Sequence, residues 1–325
     1  MSEQSLWAAA DLATPMAIRV AATLRLADHI AAGITTSDGL AARVGANPDA
    51  LGRLLGHLAT AGIVARTEAG YALTDLGEQL RDDHPQGQRA WFDLEGSVGR
   101  GDLCFVDMLH TVRTGEAAFP VRFGRPFWDD LAADPGRQAQ FDGLMSGRLT
   151  AGLPDVAAGF PWGGLGHVVD VGGGDGSMLI AILRAHPGLR GTVVDLPGST
   201  GRAERAIAAA GLAGRAGVAA GSFFDPLPAG AGGYLLSGVL HDWNDEDAVR
   251  ILTRCAEAAG PAGAVLVVDH IGEAFDTEGD LRMLCYFNGR ERTLGRLRDV
   301  AAAAGLAVAA VHKAGSRSIL ELRPS

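Results

Sequence analysis

The feature that most constrains this chain is a strand, a glycine turn and a helix joined without a spacer. His167-Val-Val-Asp-Val-Gly172 reads as a buried strand, Gly172-Gly173-Gly174-Asp175-Gly176 as the turn, and Met178 to His186 as the helix. Glycines at such a turn let the backbone approach a ligand in the crevice beyond the carboxyl ends of parallel strands. Asp195 closes a second strand, Gly191 to Leu196, where a carboxylate can bind two ribose hydroxyls. The pair predicts a ligand containing adenosine; a turn serving only tight packing is the alternative. The dinucleotide fingerprint G-x-G-x-x-G asks for glycine at position 177, where Ser177 stands, and Gly176 makes the run G-x-G-x-G instead. That tilts the reading toward S-adenosylmethionine, which has no pyrophosphate to seat on a helix N-terminus.

The alternation continues. Thr200 to Ala210 reads as a helix, Ala216 to Ala220, Tyr234 to Leu240 and Ala264 to Ile271 as strands, and Asp245 to Ala259 as the helix between the last two. A helix from Thr293 to Ala304 leads to strands near Leu306 to His312 and Ser318 to Leu322. Strands and helices in this order predict an α/β fold, a doubly wound parallel sheet with helices on both faces.

The first hundred residues have a different texture. Leu51, Leu54, Leu55 and Leu58 line one helix face, and Asn47-Pro48-Asp49 supplies its start. Ile63-Val64 and Tyr71-Ala72-Leu73 flank Glu68-Ala69-Gly70 as a small hairpin, and Thr74 caps a short helix from Asp75 to Leu80. Helices followed by a hairpin make a winged-helix arrangement, which raises DNA binding. The candidate reading helix offers only Arg53 and His57, and Thr36 to Arg81 holds four arginines against five carboxylates. A DNA reader needs a basic face, so packing or dimerisation is the better reading. With a net charge of -10 and Lys313 as the lone lysine, the chain also lacks the clustered positive charge that nucleic acid or an anionic membrane demands.

Cys104, Cys255 and Cys285 are widely spaced and apolar in context, which suits buried thiols in a reducing compartment. The Met-Ser-Glu-Gln start lacks the basic residues of a signal peptide, and Asp11, Arg19 and Arg25 break the most apolar early stretch. A cytoplasmic protein with no membrane span is expected. The breaks at Phe119-Pro120, Arg125-Pro126 and Asp134-Pro135 mark mixed helix and loop. Three regions follow: 1–100, helical and winged-helix-like; 101–160, a helical linker and acceptor-pocket segment; 161–325, the ligand-binding α/β domain. Phe105, Met108, Phe127, Trp128 and Met145 in the middle region suit a pocket wall or ordinary core equally.

Five motifs occur in one order: Val169-Asp-Val-Gly-Gly-Gly-Asp-Gly-Ser177, Val194-Asp-Leu-Pro-Gly198, Gly221-Ser-Phe-Phe-Asp-Pro226, Leu240-His-Asp-Trp-Asn-Asp245 and Gly289-Arg-Glu-Arg-Thr293. In these the chain resembles the S-adenosylmethionine-dependent O-methyltransferases typified by plant caffeate O-methyltransferase and by bacterial enzymes that tailor aromatic polyketides. Leu24 to Leu80 is also similar to that family's winged-helix-like dimerisation domain. The resemblance implies a Rossmann-like methyltransferase domain, a homodimer, no metal, and a small aromatic acceptor of secondary metabolism. By the same resemblance Gly172 and Gly174 line the methionine part of the cofactor, Asp195 holds the ribose and Phe223 packs on the adenine. Ser222 stands where the family usually has an aspartate for the adenine amine, and Ser237 where plant members carry lysine. His241 matches the general base, Asp269 and Glu291 the acids that flank it, and Met145 and Met283 the methionines around the acceptor ring. Asp269 replaces the more usual glutamate.

A sulfonium donor brings its own electrophile and leaving group, so the protein must supply orientation and a deprotonated acceptor. A free phenol and a free histidine differ by roughly 3.5 pH units, about 5 kcal/mol against proton transfer. Carboxylates beside the imidazole raise its basicity, which gives Asp269 and Glu291 a purpose. The competing readings are N-methylation of a heteroaromatic, a non-methylating hydroxylase, decarboxylase or rearrangement activity on the same fold, and a winged-helix DNA-binding regulator. His241, which such non-methylating relatives often lack, is retained here.

Overall fold

The computed structural model describes residues 5–271 and 276–325, so the Met-Ser-Glu-Gln start lies outside the described residues. Contacts divide the chain after Leu103 into two units. In the first, α1 (Ala13–Thr23), α2 (Ser37–Val44) and α3 (Pro48–Thr60) are followed by an antiparallel hairpin, β1 (Val64–Thr67) and β2 (Gly70–Leu73). Asn47 starts α3 by accepting from the Ala50 amide at 3.0 Å, and Pro48 occupies its first position. Leu51, Leu55 and Leu58 are buried, as their spacing requires. Arg53 spends its charge on Asp49, one turn away at 2.9 Å, which leaves little on this helix for a phosphate backbone.

The second unit is built on a seven-stranded sheet. Its strands are β3 (His167–Val171), β4 (Arg190–Asp195), β5 (Ala216–Ala220), β6 (Gly233–Ser237), β7 (Ala264–Asp269), β8 (Leu306–Ala314) and β9 (Arg317–Pro324), in the order β5-β4-β3-β6-β7-β9-β8. The helices used below are α4 (Pro135–Thr150), α5 (Ser177–Ala185), α6 (Pro197–Ala209), α7 (Asp245–Ala259), α8 (Thr277–Phe287) and α9 (Leu294–Ala303). Val169, Val171, Leu236 and Val267 pack with Ile251 and Leu252 of α7 and Val300 of α9. Val168, Leu235 and Leu266 pack on the other side with Leu179 and Leu183 of α5 and Ile207 of α6. Two covered faces explain why these strands read as continuous apolar runs. Strand order reverses between β3 and β6, and the crevice at that switch point opens at their carboxyl ends.

Three expectations change. The strand expected over Tyr234 to Leu240 stops at Ser237, because Gly238 has φ +64° and turns the chain into a 3-10 turn, Leu240–Asp242. The last two strands are antiparallel rather than part of the parallel set: Ala314 pairs with Arg317, so the connection is too short for a crossover, and β9 inserts between β7 and β8. Residues 277–287, which had no expected element, form α8, started by the Asp276 side chain. The middle segment contributes a core of its own, with Phe119, Phe127 and Leu131 packed against Cys285 and Tyr286. Phe127 therefore belongs to packing, while Trp128 is half-buried and stacked on Phe287 at 5.0 Å. All three cysteines are buried, and no disulfide links them among the described residues. Among the described residues no helix is long and apolar enough to cross a membrane.

Candidate active site

The glycine turn stands at the end of β3 with Gly172, Gly174 and Gly176 all at positive φ. A Cβ on Gly172 would come 3.0 Å from Val239 and 3.4 Å from the Phe223 ring, so Phe223 and the turn face each other. At Gly174 none of the described residues lies within 4 Å of where a Cβ would be, leaving its backbone open to a ligand. Asp195, at the end of β4, accepts from the Gly174 amide at 2.8 Å and the Leu196 amide at 2.7 Å. Burial pushes its pKa up, against the two amides, which favour its charge. Ser222 turns its Oγ back to accept from the Phe224 amide at 3.2 Å. Ser237, at the end of β6, has a buried Oγ with no hydrogen-bond partner among the described residues. A bare glycine turn, a carboxylate one strand away and an orphaned hydroxyl across the switch point fit S-adenosylmethionine.

His241 sits on the 3-10 turn that Gly238 creates after β6. Its Nδ1 donates to Asp269 Oδ2 at 3.1 Å, with Oδ1 at 3.3 Å, and its Nε2 lies 3.5 Å from Asp242 Oδ1. A ring nitrogen of His241 and carboxylate oxygens of Asp269 and Glu291 lie within 4.8 Å of one another. The residues nominated as base and flanking acids are thus brought together, with Nε2 left as the basic nitrogen. Burial works against the charged imidazole, but Asp269, Asp242 and Glu291 outweigh it and hold His241 at about 10. Burial raises Asp242 to about 7, against the pull of His241. Asp269 is held below the ordinary carboxylate range in spite of its burial, by His241 above all. Burial raises Glu291, with Asp269 and Asp280 adding to the effect.

Several residues that support this arrangement are invisible to sequence reasoning. Arg292, only 5% exposed, donates to the Leu240 carbonyl at 2.6 Å and the Trp243 carbonyl at 2.7 Å, clamping the turn that carries His241. Asp245 holds Arg292 at 3.0 Å, and the Arg290 amide donates to the His241 carbonyl at 2.9 Å. Gly289 packs on the same backbone; a Cβ there would lie 2.7 Å from the Asp242 carbonyl carbon. The Arg-Glu-Arg run hinted at this region, but nothing local distinguished a clamp from a solvated pair. The Glu291 amide donates to Asp280 on α8 at 2.8 Å. Met145 and Met283 are half-buried on α4 and α8. Ser146, beside Met145, hydrogen-bonds Ser177 at 3.0 Å, and the Met283 carbonyl accepts from the Gly289 amide at 3.1 Å. The first methionine is therefore next to the glycine turn and the second next to the histidine's backbone support.

The chain as a whole is similar to known proteins. Residues 105–307 match the model of an O-methyltransferase domain, and residues 7–82 that of an O-methyltransferase dimerisation domain. The chain is 56% identical to 2,7-dihydroxy-5-methyl-1-naphthoate 7-O-methyltransferase of Streptomyces carzinostaticus, over 98% of this chain and 96% of that one. It is 48% identical to aclacinomycin 10-hydroxylase RdmB of Streptomyces purpurascens, over 95% and 85%. Among solved structures it superposes with a TM-score of 0.96, at 55% identity and 100% coverage of both chains, on an O-methyltransferase (NcsB1) from neocarzinostatin biosynthesis in complex with S-adenosylmethionine and 2-hydroxy-5-methyl naphthoic acid.

Proposed function

The chain belongs to the S-adenosylmethionine-dependent O-methyltransferases, and from that membership we propose that it methylates a ring hydroxyl of an aromatic acid of naphthoate size. The observation that carries the reading is the imidazole of His241, fixed at Nδ1 by Asp269 and raised to about 10. A phenol also titrates near 10, so proton transfer from it to the neutral form of this imidazole is close to level, where transfer to a free histidine is uphill by roughly 5 kcal/mol. His241 takes the acceptor's proton on Nε2. Asp269 orients the ring and stabilises the imidazolium, and Glu291 adds to the same field. S-adenosylmethionine, when bound, supplies the methyl group and its own leaving group. Gly172, Gly174, Asp195, Phe223 and Ser237 are the residues assigned to hold it; Ser222, committed to its own backbone, contributes at most a shared hydroxyl. Met145 and Met283 are assigned to the two sides of the acceptor ring. The three regions 1–100, 101–160 and 161–325 take the roles of dimerisation, acceptor-pocket wall and cofactor binding. A homodimer and a cytoplasmic setting complete the reading.

The test is incubation with S-adenosylmethionine and a panel of hydroxynaphthoic acids, read by mass spectrometry. Gain of one methyl group on oxygen supports the proposal; no methylated product from any acid ends it. The hydroxylase reading is favoured by the likeness to RdmB. It would show as an oxygen-dependent hydroxylated product without consumption of the methyl donor.

A further inference from the structure

We propose that Arg317, backed by Arg148, is the seat for the acceptor's carboxylate. Arg317 opens β9 and precedes Ser318, the residue paired with Asp269 across the β7–β9 ladder. Its Cα therefore stands one residue beyond the base's orienting acid at the carboxyl rim of the sheet. The side chain is 8% exposed, yet it makes no hydrogen bond or ion pair among the described residues. Its nitrogens are not among the fully enclosed atoms that lack a partner, so the guanidinium keeps an opening. Above it the chain turns at Gly152, where even a Cβ would stand only 3.9 Å from Nε. Arg148, exposed on α4 and likewise without an ion pair, acts on both Arg317 and Glu291.

A buried guanidinium without an anion is costly, and two cations together are more so. Burial and Arg148 both push Arg317 down from its ordinary range, and Asp269 only partly restores it. Asp269, whose oxygens accept from His241 and the His270 amide, forms no ion pair with it among the described residues. The arrangement calls for an anion from outside the chain, and a carboxylate matches the planar fork of arginine. Around His241 stand Asp242, Asp269, Asp280 and Glu291, a field that repels an anionic acceptor unless cations offset it. The carboxylate of the cofactor's methionine is the other source of this chemistry. Arg317, however, lies three strands from the glycine turn of β3, about 14 Å at ordinary strand spacing, and beside the acid that serves the acceptor's base.

This inference rests on the proposed methyl transfer to an aromatic acid, and its test separates the two. Calorimetry on the S-adenosylhomocysteine complex compares 2-hydroxy-1-naphthoate with 2-naphthol, alongside methyl transfer to each. The wild type is expected to bind the acid about 30-fold more tightly, Arg317→Gln to abolish that preference, and Arg317→Lys to keep part of it. Affinity for S-adenosylhomocysteine should stay within about twofold in every variant. Arg148→Gln, on an exposed position, should lose about threefold on the acid alone and gives a result even if Arg317→Gln does not fold. Unchanged acid affinity in a folded Arg317→Gln, or in Arg148→Gln where Arg317→Gln does not fold, overturns the seat. So does equal loss on acid and naphthol, or a loss of S-adenosylhomocysteine affinity with acid preference intact. Methyl transfer to both compounds without preference overturns the seat alone; neither binding nor transfer overturns the functional reading with it.

Discussion

Asp269→Asn tests the core of the chemistry. The substitution keeps the shape of the side chain and an oxygen to accept from Nδ1, and removes one charge 3.1 Å from the imidazole. At an effective dielectric of 20, opposite charges at that separation attract by about 5 kcal/mol. The His241 and Asp269 side chains remain 25% and 14% exposed, and screening at that exposure leaves roughly half, about 2 to 3 kcal/mol. His241, held at about 10 in the wild type, should then titrate about 2 pH units lower. Its strength as a base falls with it, and partial Brønsted sensitivity turns this into about a tenfold loss of kcat above pH 10, where the imidazole is free in both proteins; at neutral pH the larger free-base fraction of the variant offsets that loss. The assay is the Cε1 resonance of 13C-labelled His241 against pH in the S-adenosylhomocysteine complex, with kcat measured on the same variant. Stability should follow. A folded pKa raised above 6.5 contributes stability that is complete below that pH and is lost as pH rises through about 10. The variant should therefore show a flatter thermal-stability profile across the alkaline range. An imidazole that titrates with the wild type, together with unchanged kcat, would refute the assignment of Asp269 as the source of basicity.

His241→Ala should lower kcat by about 10² to 10⁴ while S-adenosylhomocysteine affinity, read by calorimetry, stays near wild type; unaltered turnover would remove the base. Asp195→Ala should weaken cofactor binding about 10- to 100-fold, because it removes the proposed ribose acceptor and frees the Gly174 amide it now pins. Wild-type affinity in calorimetry would contradict that role. Asp170, 1% exposed, is raised to about 7 by burial and then by Asp195, against the Leu179 amide, which favours its charge. Its raised pKa means the fold loses stability as pH climbs from the ordinary carboxylate value through about 7, by up to about 4 kcal/mol at pH 8. Asp170→Asn should remove that slope in chemical denaturation at pH 5 and pH 8, and an identical slope in both proteins would show that the carboxyl is relieved by other means.

Much of the site was legible because its signals are local. A glycine turn between a strand and a helix declares itself through the conformations only glycine adopts cheaply, and Gly172, Gly174 and Gly176 all take them. Asp195 could be found from its place at the end of the next strand, and α7 was expected over the residues it occupies, Asp245 to Ala259. His241 was found only through its flanking motif, since a histidine beside an aspartate is common. That it faces Asp269 on one nitrogen and Asp242 on the other depends on Gly238 ending β6 early, a turn that an apolar run of residues conceals. The segment 277–287 had no expected element, and its buried residues, Cys285 and Tyr286, pack at one end on the aromatic cluster of another segment.

What the chain determines by itself is therefore the run of elements and the residue types at each strand end, both set by backbone conformation and burial period over a few residues. The tertiary structure decided which charges meet. β9 enters beside β7 in antiparallel sense, and that pairing alone brings Arg317 to Asp269 across 48 positions of sequence. The physical reason is that dihedral preferences act between neighbours, whereas the energy of a charge depends on everything within several ångströms, however far away along the chain.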